Sequence, residues 1–268
     1  MNQNSEPTSG PAGQKISVLH IPHSSRVIPP NERARLALSD TELEAELLRM
    51  TDAFTDELFP PTIYEVQRIV FPASRLVCDV ERFANDAEEP MSARGMGAVY
   101  TMTSTGRQLR AGPSTAEREQ IMTRWYRTHH ELLSAAVDHV LARERRCLIV
   151  DCHSFSSKPL PHEPDQDPDR PDICVGTDQF HTPPDLVTTI VKAAKDLGLT
   201  AAVDRPFAGA LAPAKHYRRD GRVKSVMIEV NRRLYMDERT GERIDNFEHA
   251  VQAAANMLSA AAALVLEG

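Results

Sequence analysis

Four consecutive apolar residues, Cys147-Leu148-Ile149-Val150, run directly into Asp151-Cys152-His153-Ser154-Phe155. An unbroken apolar run that follows a basic helix end, Arg143-Glu144-Arg145-Arg146, fits a central strand covered on both faces; a half-exposed strand would alternate. Open α/β sheets collect ligands at the carboxyl ends of their strands, and His153 stands at such an end. A second run, Val226-Met227-Ile228-Glu229-Val230-Asn231-Arg232, sets a carboxylate among apolar, β-branched neighbours. A lone glutamate there is costly unless it is paired, hydrogen-bonded or beside a metal. The two segments together call for a sheet that delivers its chemistry at the strand ends.

The rest of the pattern supplies layers around that sheet. Residues 16–21 read as the first strand, closed by Pro22 and by Pro29-Pro30. Ser39 and Glu42 form a capping box for a helix over 40–58, which Pro60-Pro61 ends. Short strands are expected at 63–66 and 76–80, then a loop over 84–113 containing Gly95, Gly97, Gly106 and Gly112. An amphipathic helix over 115–144 carries Ile121, Trp125, Leu132, Leu133, Val137, Val140 and Leu141 near helical spacing. A proline- and acid-rich rim over 156–171, a strand at 173–175, a helix over 184–197 and a strand at 200–203 follow. The loop 205–221, the Glu229 strand and a closing helix over 246–266 complete the alternation. The expectation is a single α/β domain over residues 15–268. It is a three-layer sandwich around a mixed, mostly parallel sheet, preceded by a disordered lead-in over 1–14.

A formal charge of -7 leaves no basic footprint for nucleic acid, so the expected partner is a small molecule. No apolar stretch reads as approaching the ~20 residues that cross a bilayer, and residues 1–14 lack the apolar core of a signal peptide. Cys78, Cys147, Cys152 and Cys174 lie in or beside strand-like runs, as buried reduced thiols of a cytoplasmic protein would. Alternation along a strand sends Cys152 and His153 to opposite faces, which argues against Cys152 as a nucleophile. Oligomeric state leaves no trace in this pattern.

His23 follows the first strand, His153 a central one, and Glu229 lies in a late one, so distant segments can converge on one crevice. That combination suits a catalytic zinc site, in which histidines and a carboxylate leave one position for a water whose pKa falls toward ~7. A carboxylate outside the ligand set then serves as general base. Other divalent transition metals accept the same donors. His129, His130, His139 and His249 are expected on helix surfaces, and His162 and His181 on loops. Pro22 prevents a helix from placing His20 and His23 on one face, so His20 is expected as a core histidine and His23 as a ligand. The missing carboxylate ligand is expected from Asp52, with Asp56, four residues on, as second choice.

Six segments carry a resemblance: Pro22-His23-Ser24, Asp52-Ala53-Phe54-Thr55-Asp56-Glu57-Leu58, Asp79-Val80-Glu81-Arg82, Asp151-Cys152-His153-Ser154-Phe155, Pro171-Asp172-Ile173-Cys174-Val175-Gly176-Thr177 and Ile228-Glu229-Val230-Asn231-Arg232. In this order they resemble the N-formylglutamate amidohydrolase family over about residues 16 to 260. That family is related to zinc carboxypeptidases and aspartoacylases, so the resemblance implies a zinc-carboxypeptidase-like, phosphorylase/hydrolase-like fold. By the same resemblance His153 corresponds to the last ligand histidine, Glu229 to the general base and His23 to the histidine opening the metal motif. Those relatives carry His-x-x-Glu there. This chain has Arg26, which cannot bind zinc, and Asp52 is the expected replacement.

The implied substrate, an N-acyl amino diacid, calls for arginine forks. Arg82 resembles the arginine of the carboxypeptidase Asn-Arg pair, with Glu81 in place of the asparagine. Arg94, His216 with Tyr217, Asn231 and Arg232 are the further expected substrate contacts. The reaction so implied is zinc-dependent hydrolysis of N-formyl-L-glutamate to formate and L-glutamate, a terminal step of histidine breakdown. Glu229 would act as base and Arg82 would support the oxyanion. Two alternatives stand beside it: another N-acyl amino acid or short peptide as substrate, and a non-catalytic binding module in which Arg26 marks a degraded metal site.

Overall fold

Six of the apolar runs pair into one sheet in the computed structural model, which describes residues 16–61 and 64–267. The expected lead-in over 1–14, and Ile63 at the head of an expected strand, lie outside the described residues. Strands β1 (Ile16–Ile21), β2 (Glu65–Val70), β3 (Cys147–Phe155), β4 (Ile173–Gly176), β5 (Ala201–Val203) and β6 (Val223–Asn231) lie in the order β2-β1-β3-β6-β4-β5. The first four in that order are mutually parallel, β4 runs antiparallel to β6, and β5 runs parallel to β4. This is the mixed, mostly parallel sheet expected of the sequence. Every residue of β3 is buried, as its unbroken apolar start requires. A small hairpin, β7 (Met236–Asp237) and β8 (Glu242–Arg243), stands apart.

The helices are α1 (Pro30–Arg33), α2 (Asp40–Met50), α3 (Thr55–Leu58), α4 (Thr115–Ile121), α5 (Thr128–Glu144), α6 (Pro184–Asp196) and α7 (Phe247–Ala262). A π-helical stretch, Met122–Arg127, joins α4 to α5. Helix α5 covers one sheet face, where Leu133, Val137 and Val140 meet Val18, Cys147, Ile149 and Val223. Helices α6 and α7 cover the other, against Leu19, Ile21, Leu148, Val150, Cys152, Val226, Ile228 and Val230. Each such large apolar side chain contributes about 1.5–3 kcal/mol on full burial. Strand alternation then determines where the polar residues go. Asp151 and His153 continue the Cys147/Ile149 series toward α5, Glu229 continues the Val223 series, and Cys152 faces α7. The expected separation of Cys152 from His153 follows directly.

Several expectations are corrected. The helix expected over 40–58 is broken: α2 starts at the Ser39/Glu42 capping box but stops at Met50. Phe54 then takes a left-handed conformation, φ 64°, and α3 begins at Thr55. Residues 76–80 form a buried turn instead of a strand. The Val77 N–H donates to the Ser74 carbonyl and the Leu76 N–H to Ser74 Oγ, so the apolar run finds its core without a strand partner. The closing segment Phe247–Glu267 is, contrary to expectation, long and apolar enough to cross a membrane. Here Ala254, Met257, Leu258, Ala261 and Val265 pack into the core under the sheet. Leu132, counted on the apolar face of the long helix, is 58% exposed.

Candidate active site

The carboxyl ends of β1, β3 and β6 open into a cavity of about 1120 Å³ whose walls include His23, Asp52, His153 and Glu229. His23 lies two residues beyond β1. Its Nε2 is 2.9 Å from Asp79 Oδ1, and because a carboxylate only accepts, Nε2 carries the proton. Its Nδ1 is buried without a hydrogen-bond partner among the described residues and sits 3.7 Å from Asp52 Oδ2. His153 is arranged likewise, with Nε2 3.1 Å from Asp151 Oδ1 and Nδ1 3.0 Å from Asp52 Oδ2.

The break in the α2 helix is what delivers Asp52. Its N–H donates to the His23 carbonyl at 3.0 Å, and the side chain, 2% exposed, enters between the two imidazoles. Asp52 Oδ1 accepts from Arg232 Nη2 at 3.0 Å. Burial opposes ionisation of Asp52, yet His153 and His23 outweigh it and hold the carboxyl below its ordinary range. Burial likewise works against a charged His153, but Asp151 and Glu81 raise it well above the usual imidazole value. Asp56 is exposed on α3 and, among the described residues, is not one of those lining the cavity.

The donor set fits a divalent metal. One ligand atom each from His23, Asp52 and His153 lies within 4.8 Å of the others. The far side of each is already held, by Asp79, Arg232 and Asp151 respectively. Such outer partners orient ligands and raise their basicity. The Asp79 carboxylate also accepts from Arg75, at 3.2 and 2.8 Å, from the Glu81 N–H at 3.0 Å, and from Tyr100 Oη. Against the cost of burial, the Arg75 and His23 contacts keep it well below the carboxylate range. Arg26 plays no part here, since it pairs with Glu44 at the surface.

Glu229 pairs in register with His153 across β6 and β3. Its Oε2 is buried with no hydrogen-bond partner among the described residues. Burial pushes its carboxyl up to about 8, with nearby Asp52 adding to the shift and His153 and Arg232 opposing it. This is a carboxylate poised to exchange a proton near neutral pH. Arg82 also lines the cavity, 3.5 Å from Asp79 and 3.8 Å from Glu89, and its buried Nε has no hydrogen-bond partner among the described residues.

The structure thus brings Glu229, Arg82, His23, Asp52, His153 and Arg232 together. Arg232, 4% exposed, is engaged with Asp52, Ser154 and the Arg49 carbonyl, so its first task is to hold Asp52. Three expected substrate contacts are placed elsewhere. Arg94 is exposed and donates to the His162 carbonyl. Asn231 donates to the Pro171 carbonyl and accepts from the Arg233 N–H, capping the turn after β6. His216 lies against Asp138 and Asp220 in a separate shallow depression, although its neighbour Tyr217 does line the cavity.

Other participants escape a reading of the sequence. Asp79 falls in the stretch expected as a strand, 76–80, and Arg75 just before it, so their i, i+4 pairing on a turn is invisible. Glu81 turns inward, 3.3 Å from His153 Nε2 and 3.1 Å from His20 Nδ1. His20 is fully buried, as expected of a core histidine. It is pushed up to about 9: burial lowers it, but Asp151 and Glu81 prevail. His129, expected on a helix surface, is 3% exposed, with Nε2 2.8 Å from His20 Nε2. Burial and then the His20 charge push it down to about 2. The helical spacing of Ile121, Trp125, Leu133 and Val137 passes through position 129, so the pattern does contain that signal.

No curated protein sequence matches this chain. Among solved structures, the N-formylglutamate amidohydrolase from Ralstonia eutropha JMP134 is similar with a TM-score of 0.73 at 22% identity, covering 94% of this chain and 95% of that one. A gene product of Agrobacterium tumefaciens is similar with a TM-score of 0.64 at 18% identity, covering 94% and 92% of the two chains. At these identities the likeness speaks for the fold. Kinship comes from the N-formylglutamate amidohydrolase family model, which matches residues 17–236 and so spans His23, Asp52, His153 and Glu229. With the match extending over most of its length, the chain belongs to the N-formylglutamate amidohydrolase family.

Proposed function

We propose that this chain is a metal-dependent amidohydrolase that converts N-formyl-L-glutamate to formate and L-glutamate. One observation carries the reading: two imidazoles present Nδ1 atoms beside Asp52 Oδ2, each with Nε2 held by a carboxylate, while Glu229 stands alongside with a free oxygen. His23, Asp52 and His153 would hold the ion. Zinc, or a similar divalent metal, supplies Lewis acidity and lowers the pKa of water when bound. Glu229 Oε2 accepts a proton from the attacking water as its oxygen bonds to the formyl carbon, and returns that proton to the departing amine as the C–N bond breaks. Arg82, which lines the cavity, offers its guanidinium to the developing oxyanion or to a substrate carboxylate. Its free, buried thiols suit the reducing cytoplasm, and the proposed reaction would serve histidine breakdown.

Formate release from N-formyl-L-glutamate tests the proposal, run on the protein as purified, after chelation and after zinc return, beside N-acetylglutamate and N-formylaspartate. The expected result is chelator-sensitive, zinc-restored release that favours formylglutamate. Activity that survives complete removal of metal would overturn the metal assignment. Arg82→Met should lower kcat/KM for formylglutamate by about 10- to 150-fold, the equivalent of the ~1.5–3 kcal/mol of a hydrogen bond to a charged group. An unchanged value would remove Arg82 from the site.

A second reading of the substrate has one observation in its favour. A cavity of about 1120 Å³ exceeds what a small N-formyl amino acid fills, since pockets of roughly 300–1,000 Å³ hold drug-sized ligands. Preferential cleavage of a longer N-acyl amino acid in the same assay would keep the mechanism and change the substrate.

A further inference from the structure

Behind the proposed metal ligands lies a second layer of titratable groups. Asp151, 1% exposed, uses one oxygen for two imidazoles: Oδ1 is 2.9 Å from His20 Nδ1 and 3.1 Å from His153 Nε2. Its other oxygen accepts the Leu211 N–H at 3.3 Å. Glu81 spans the same two rings, 3.1 Å from His20 Nδ1 and 3.3 Å from His153 Nε2. His20 Nε2 then meets His129 Nε2 at 2.8 Å, with both rings buried.

The chemistry of these contacts assigns the protons. Carboxylates only accept, so His20 Nδ1 carries a proton. Two ring nitrogens 2.8 Å apart share one proton between them, because two N–H groups would clash and two lone pairs would repel. Asp151 and Glu81 lie against His20, 2.9 and 3.1 Å from its Nδ1, so a charge on this ring meets its counter-charge directly and the shared proton is placed on His20, with His129 Nε2 as its acceptor. His129 packs T-shaped against Phe71, with ring centroids 5.3 Å apart, and is 3% exposed.

We infer that His20 and His129 are positioning residues for His153: His20, protonated on both ring nitrogens, anchors Asp151 and Glu81, and His129 accepts the Nε2 proton. With the carboxylates anchored, His153 keeps its proton on Nε2 and turns Nδ1 toward the ligand position. This rests on the metal site proposed above. Outer partners of this kind typically account for 10- to 100-fold in metal affinity.

The same three side chains, His20, Glu81 and Asp151, also lie close enough to hold a cation of their own. A second ion and a doubly protonated His20 exclude each other, so one experiment separates them. Nitrogen-15 NMR of the full-length, histidine-labelled protein, metal-free and with one equivalent of zinc, should show both His20 nitrogens protonated and His129 neutral. A neutral His20, or a second tightly bound equivalent that displaces its Nδ1 proton, would overturn the inference. Chelator competition on folded variants supplies the functional readout. His129→Leu should weaken zinc binding about 10- to 100-fold, and His129→Gln, whose amide oxygen can accept from His20, should recover most of the loss. Wild-type affinity in His129→Leu would refute the positioning role alone. Absence of zinc binding by the wild type would instead refute the metal site, and the metal-free spectrum would still decide the protonation of His20. Should His129→Leu fail to fold, that spectrum and His129→Gln carry the test.

Discussion

Glu229→Gln is expected to lower kcat on N-formylglutamate by about 100- to 10,000-fold, the usual contribution of a general acid–base group, while the purified protein keeps its metal. The amide matches the carboxyl in shape, so the β6 backbone and its pairing with β3 should survive. It cannot take up the proton that Oε2 would receive. Parallel loss of metal and activity would instead make Glu229 a ligand or a folding determinant. A second signature follows from its buried environment. The carboxyl is raised from an ordinary 4.5 to about 8, so between those values the folded chain retains a proton that the unfolded chain releases. Its contribution is therefore fully present below pH 4.5 and is lost as pH rises through about 8. For the metal-free protein this is a slope of roughly 1–1.5 kcal/mol per pH unit across the window. Denaturant titrations at several pH values should show that slope in the wild type and its absence in Glu229→Gln; equal slopes would place the ionisation elsewhere.

Asp52→Ala should abolish both metal binding and activity, and should destabilise the metal-free protein by about 3–5 kcal/mol, the cost of breaking one partner from a buried ion pair. Arg232, only 4% exposed, loses its carboxylate, and His153 loses the partner of its Nδ1. Asp56→Ala is the matched control. Asp56 is exposed, and a surface substitution of this kind stays within about 0.5 kcal/mol of the wild type. Urea denaturation of the two variants beside a metal assay checks both parts. If Asp56→Ala lost the metal and Asp52→Ala kept it, the ligand assignment would be reversed.

Much of the sheet could be read in advance because strand periodicity is local. Cys147 to Val150 had to be buried on both sides, and the alternation that follows sends His153 and Cys152 to opposite faces whatever the rest of the chain does. The helix over 184–197 and the strand at 200–203 were legible for the same reason, within a residue at each end. Residues 76–80 misled because burial alone does not distinguish a strand from a packed turn. Asp79, which supports His23, was hidden in that stretch, and its partner Arg75 lies just before it.

What the sequence by itself determined is the set of strand ends, the face each side chain takes, and therefore that His23, His153 and Glu229 open toward one side of the sheet. Tertiary structure alone decided which groups from distant segments complete the site. The left-handed turn at Phe54 swings Asp52 inward and leaves Asp56 in solvent. Docking of α5 on the sheet sets His129 against His20, and the turn after Asp79 aims Glu81 at both His20 and His153. Periodicity carries direction within an element, whereas the distance between two elements depends on backbone turns and packing that no local pattern records.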